Sequence, residues 1–344
     1  MLISATEVNQ TVGPPPSRRP NSLRRSSSMQ SIWPEGATGP HRLVGRARDL
    51  FTSPDVEAPQ TLSEDWIEAT LTPERLLASL HGSRHAETLG AFAGLSPGGD
   101  LRRAMAEEMP EEGKRDTLLH RLLDDMAGAN FMASSAWYDW EPDGLEGYYR
   151  NIGLGSVLER PVTGLCLSYV PGSEAMTPDG RTNEDQADHP RAVSPVSEAD
   201  PFAWHDIVEI DAANHWRLRR TDLWVEEGVV HADAWFQDSS AVRGRHDVRT
   251  IFHEYGLRAR FDPAEMTLTG IDVDPRVLPF GTCHAAPATA NVLVGRSARE
   301  FREFVPKALR GTQGCTHLND MLRALQDVSA MAETFRKAIA SSAG

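Results

Sequence analysis

Cysteine is scarce. Three thiols, Cys166, Cys283 and Cys315, occur in 344 residues. The number is odd and too low for a disulfide framework, and such usage points to a reducing compartment, with the cytoplasm as the expected location. Long apolar runs are also missing. No stretch approaches the roughly 18 apolar residues of a membrane span, and the opening MLISATEVNQTVGPPPSRRP lacks the apolar core of a secretory signal. Positive charge is in deficit, with 35 Lys and Arg against 49 Asp and Glu and a formal net charge of -14. Without a net positive field, neither nucleic acid nor an anionic membrane surface is an expected partner, which leaves a small-molecule substrate as the expected one. What is present is enough apolar material, 40% of residues, to fill two domains or one large one.

Residues 1–20 read as a flexible lead-in with three consecutive prolines, Pro14 to Pro16. A first module spans 21–150. Its opening, NSLRRSSSMQSIW, reads as a strand edge or a loose arm, and Arg24-Arg25-Ser26 also resembles a basic-directed kinase target. RLVGRARDLFTS has strand character, and EDWIEATLTPERLLASL reads as strand or short helix. Leu101, Ala104 and Met105, then Leu118, Leu119, Leu122 and Leu123, mark a helical pair interrupted by Pro110. Residues 151–204, dense in Pro and Asp with no apolar period, read as a linker or lid. The second module, 205–344, begins with alternating apolar positions that fit an antiparallel meander of three or four strands. Ser297 and Glu300 have the spacing of a capping box. A last helix starts at Thr316, carries Leu318, Leu322, Leu325 and Val328 on one stripe, and runs toward Ile339.

The two halves echo each other. Arg24-Arg25 against Arg219-Arg220, and LLHRLLDDM against CTHLNDML, lie about 195 to 201 residues apart, which suggests an internal duplication. In the first copy His120 stands where His317 does, but no cysteine accompanies it. Chemistry that needs thiols therefore belongs to the second copy, and the chain could be a monomeric pseudo-dimer as well as a homo-oligomer.

Four second-half residues could converge: His253, Cys283, Cys315 and His317. Thiolate and imidazole are ligands for zinc or iron, so Cys283, Cys315, His317 and His253 form a candidate metal set. Cys166, in an apolar run, reads as core or as an added ligand. A second chemistry needs no metal: Cys315 at a helix start is a candidate nucleophile with a histidine base. The plain alternative is structural, with buried thiols and Thr316 as a helix cap. Glu254 could orient His253, and Arg219 and Arg220 could pair with a substrate carboxylate.

These residues also carry a resemblance. RLRRTDLWVEEGVVHADAWFQDS, FHEYGLRARFD, the cysteine of LPFGTC and GCTHLNDMLRALQDV are similar, from about His215 to Met331, to the bacterial family known as domain of unknown function 2889. Its marks fall on Arg219, His253 with Glu254, Cys283, and Cys315 to Leu318. LLHRLLDDMAGA further resembles the long actinobacterial form, which carries a cysteine near Cys166. Thr221-Asp222-Leu223 departs from the Asp-Gly of shorter members. The resemblance implies no established reaction.

The expectation is thus an α+β protein of two related modules, each a small antiparallel sheet with helices on one face. Its function is expected to be that of a metal- or thiol-dependent enzyme, hydrolase or lyase in type, acting on a small acyl or carboxylate-bearing substrate. The alternative is a non-catalytic metal-binding or assembly module.

Overall fold

The segment that reads as a strand edge or a loose arm is a central strand. In the computed structural model, which describes residues 12–13, 15–54, 59–196, 199–207 and 209–342, SLRRSSSMQSIW forms β1 (Ser22–Trp33) and all of its residues are buried. A meander follows: β2 (His41–Thr52), β3 (Gln60–Leu71) and β4 (Leu77–Gly82). Five helices come next, α1 (Ala86–Ala91), α2 (Gly99–Glu108), α3 (Pro110–Lys114), α4 (Leu118–Met132) and α5 (Gly144–Asn151). Pro110 opens α3, where a missing N–H costs nothing, so the expected break is where sequence places it. After a stretch with little regular structure, β5 (Arg191–Val193) precedes a second meander, β6 (Ala213–Glu226), β7 (Val229–Val242), β8 (Arg245–Phe261) and β9 (Leu268–Val277). The helices α6 (Phe301–Ala308), α7 (Thr316–Ala324) and α8 (Val328–Ser342) follow. No helix among the described residues is long and apolar enough to cross a membrane.

The fold is α+β, as expected, but the two meanders do not form separate small sheets. β1 pairs antiparallel with β6, so the strands join in one nine-stranded sheet of order β4-β3-β2-β1-β6-β7-β8-β5, with β9 also on β8. β8 is long enough to hold β5 at Val248 to Thr250 and β9 from Glu254 onward.

Alternation along the strands gives the sheet two distinct faces. Helices cover one. There Tyr255, Leu257 and Phe261 pack with Leu318, Leu322 and Phe335, while Leu43 and Ile67 pack with Leu119 and Leu122. Between these two apolar cores lies charge. Arg25 binds Asp49 at 2.8 Å, Arg121 binds Asp327 at 2.8 Å, and Arg219 binds Asp125 at 3.0 Å, all buried. Buried charge persists only when it is paired in this way. The opposite face is covered in part by residues 199–207, where Trp204 packs with Trp216, Leu218 and Trp235.

Two further expectations need correction. Ser297 does not cap a helix through its side chain; its hydroxyl donates to the Glu265 carbonyl, and α6 starts only at Phe301 after a tight 3-10 turn. The last helix is two, α7 and α8, separated by a 3-10 turn at Leu325–Asp327 that aims Asp327 at Arg121. Residues 151–204 include a strap fastened to the second half, through Leu167 N–H to Gly314 O, Asp188 N–H to Pro279 O, and β5 on β8.

Candidate metal centre

Strand pairing sets the site. Asp238 on β7 lies directly opposite His253 on β8, and the ladder shifts register just after Asp238, which places both side chains under the start of α7. His317, the second residue of α7, stacks on His253 with ring centroids 3.4 Å apart and planes 16° from parallel. Asp238, His253 and His317 each offer one ligand atom, and these lie within 4.8 Å of one another, the one such group of three among the described residues. Arg217 holds the carboxylate from behind, with Nε to Oδ1 at 3.0 Å and Nη2 to Oδ2 at 2.9 Å, and reaches Asp320 with Nη1 at 2.9 Å. Nε2 of His215 stands 3.4 Å from Oδ1 of Asp238.

The protonation states follow from burial. Desolvation, reinforced by Arg217, lowers the pKa of His317 to about 3. Burial and the neighbouring His317 drive that of His253 well below the usual value, and burial brings His215 to about 4. Burial alone would raise Asp238, but Arg217 and His215 outweigh it and hold its carboxyl below the usual range. Two neutral imidazoles and one carboxylate are the forms in which these groups bind a cation. Nδ1 of His253 is buried and has no hydrogen-bond partner among the described residues, an orphan that a ligand would satisfy.

The thiols stand outside this group. Cys283, in a 3-10 segment Gly281–Leu293, accepts a hydrogen bond from Ser168 Oγ at 3.1 Å. Cys315 is the residue before α7, with its sulfur 3.5 Å from the Tyr255 hydroxyl. Burial pushes the thiols of Cys166, Cys283 and Cys315 up. At Cys315 the Tyr255 hydroxyl and the N–H groups of Leu318 and His317 oppose the rise without a full side-chain cap. The expected Cys283/Cys315 ligand set therefore gives way to a carboxylate and two histidines, and a protonated, buried Cys315 is a poor nucleophile. In the native protein, iodoacetamide at neutral pH is expected to leave Cys283 and Cys315 unmodified while labelling all three thiols after unfolding. Rapid native labelling of either, read by mass spectrometry, would restore the nucleophile.

Glu254 cannot orient His253, because successive strand residues face opposite ways. It accepts from Gln237 Nε2 at 2.7 Å and pairs with Arg276 at 3.3 Å on the other face. The same alternation separates Arg219, bound to Asp125, from Arg220, which donates to the carbonyls of Ala203 and Pro16. Both are engaged within the protein. Sequence reasoning missed Asp238 and Arg217. Their signal is in the strands: each is a charge at a position whose neighbours two residues away face the helices, and a charge there demands a partner.

The fold and site together define an α+β protein with a buried histidine–carboxylate group seated between a sheet and the start of a helix. Residues 215–331, from β6 into α8, match the family described as protein of unknown function (DUF2889), in agreement with the resemblance carried by the Cys-Thr-His-Leu run. No curated protein and no solved structure matches the chain.

Proposed function

We propose that the chain is a metal-dependent enzyme of hydrolase or lyase type whose cation is held by Asp238, His253 and His317. The observation that carries this reading is the number of donors. Three protein ligands leave a coordination position open, as catalytic sites do, whereas structural zinc sites close with four. Two imidazoles and a carboxylate suit zinc or iron(II). A cation held there would supply Lewis-acid chemistry. Arg217 keeps Asp238 ionised and in place, and the residues around it exclude bulk water.

The first half supports the reading by contrast. Arg25 meets Asp49, its neighbour across the β1–β2 ladder, just as Arg217 meets Asp238 across β6–β7. Both outer ladders shift register directly after the aspartate. Ser63 faces Asp49 where His253 faces Asp238. Leu119 is the second residue of α4, as His317 is of α7. A duplicated module that keeps the imidazoles only in its second copy accounts for this. The matched pair is then Arg25 with Arg217, not Arg24-Arg25 with Arg219-Arg220, because a two-fold axis normal to the sheet keeps residues on their own face. His120 is one position too late to stand for His317.

A non-catalytic metal-binding module is the second reading. It is favoured by burial, since Asp238 is 0% exposed and His253 and His317 8% each. Elemental analysis after loading with zinc or iron(II) and dialysis tests both. Wild type is expected to retain about one equivalent, His317→Ala and Asp238→Asn less than about a tenth, and Cys315→Ser as much as wild type. Retention below about a tenth by wild type removes both readings. With cobalt(II) bound, a shift of the visible spectrum on adding azide supports the open, catalytic form, and its absence the closed one.

A further inference from the structure

A roomy cleft lies away from the metal centre. It occupies about 850 Å³ between α2, α3 and α4 on one side and α6 and α8 on the other, a size that suits a small organic ligand. The wall is of two kinds. Met105 and Met109 give an apolar side, and Arg302, Arg323, His120 and Ser329 give a polar one.

The polar wall is incompletely satisfied. Arg302 spends its terminal nitrogens on Asp116 and Asp327, and Arg323 binds Asp124 at 2.8 Å. Their Nε atoms, Oγ of Ser329 and Nδ1 of His120 are buried and find no hydrogen-bond partner among the described residues. Three of these four are obligate or available donors, so the missing partner is an acceptor. Asp116, which accepts from Arg302 and Gln326, sits at φ 47°, a left-handed conformation that costs free energy in a residue other than glycine. Such strain and such orphans are tolerated where a ligand completes the structure.

We infer that this cleft binds a small carboxylate-bearing organic molecule, with its anionic head toward Arg302, Arg323, His120 and Ser329 and its apolar body along Met105 and Met109. A carboxylate fits better than a phosphate dianion because Asp116, Asp124 and Asp327 already offset most of the nearby guanidinium charge. The inference is independent of the metal centre. Arg323 stands 3.5 Å from Asp320, which Arg217 holds, and makes no direct contact with Asp238, His253 or His317 among the described residues.

Calorimetric titration of the whole protein with octanoate, octanol and inorganic phosphate tests this. Octanoate is expected to bind, and octanol and phosphate to bind at least tenfold more weakly. Ser329→Ala is expected to weaken octanoate about tenfold, the effect of losing one hydrogen bond to a charged group. Ala330→Trp, which fills the cleft from a half-buried position on α8, is expected to abolish binding while circular dichroism stays native. No octanoate binding at millimolar concentration, equal binding of octanol or phosphate, or undiminished binding by a folded Ala330→Trp variant would each overturn the inference.

Discussion

Lowering the pH from 7.5 to 5 is expected to destabilise this protein steeply, through its buried histidines. His205, His215 and His317 are buried, and their pKa values fall to about 3, about 4 and about 3, chiefly through desolvation. In the unfolded chain an imidazole takes up its proton near pH 6.5. The unfolded state therefore binds more protons throughout the interval between about 6.5 and the folded value. Stability is full above that interval and falls as pH drops through it. At pH 5 each of the three costs about 2 kcal/mol, and together about 6, against a total stability of order 5–15 kcal/mol. Tryptophan fluorescence in urea gives the measurement. The midpoint is expected to drop steeply between pH 6.5 and 5, and an unchanged midpoint would show that these rings protonate in the folded state.

Gly128→Ala is expected to destabilise the protein by about 2–4 kcal/mol, although alanine is the better helix former by about 1 kcal/mol. Gly128 lies in α4, and a Cβ there would stand 1.5 Å from Nη1 and 2.4 Å from Cζ of Arg217. A flexible arginine could swing away, but this one is fixed by Asp238 and Asp320 at 2.9 to 3.0 Å. Displacing it would break buried ion pairs, which costs about 3–5 kcal/mol and outweighs the gain in helix propensity. Gly90, in α1 with nothing near its missing Cβ, is the control. Gly90→Ala is expected to be neutral or stabilising. If both variants show the same urea midpoint, the closeness of α4 to Arg217 has no energetic weight.

Much of the architecture was legible in the sequence wherever burial is apolar. The second meander, the Pro110 break and the start of α7 at Thr316 all follow from period and punctuation. The central, buried place of β1 was not legible, because its interior positions are largely serine and arginine and its burial depends on partners far along the chain, Asp222 for Arg24 and His205 for Ser26 and Ser28. At the centre, His253 and His317 stood out by residue type and do meet. Cys283 and Cys315 stood out for the same reason and serve the core beside Tyr255. Asp238 was hidden because one aspartate in a strand looks like any other until the ladder sets it against a histidine.

The seam between β1 and β6 bears on how the chain comes together during synthesis. Ser27 must wait for Arg219, which emerges 192 positions later, and contacts so remote in sequence close slowly. Until then the nascent amino-terminal half carries β1 as a bare edge. A serine- and arginine-rich edge stays hydrated and repels its like, so the polar composition that conceals this strand also guards it against mispairing with other chains before its partner arrives.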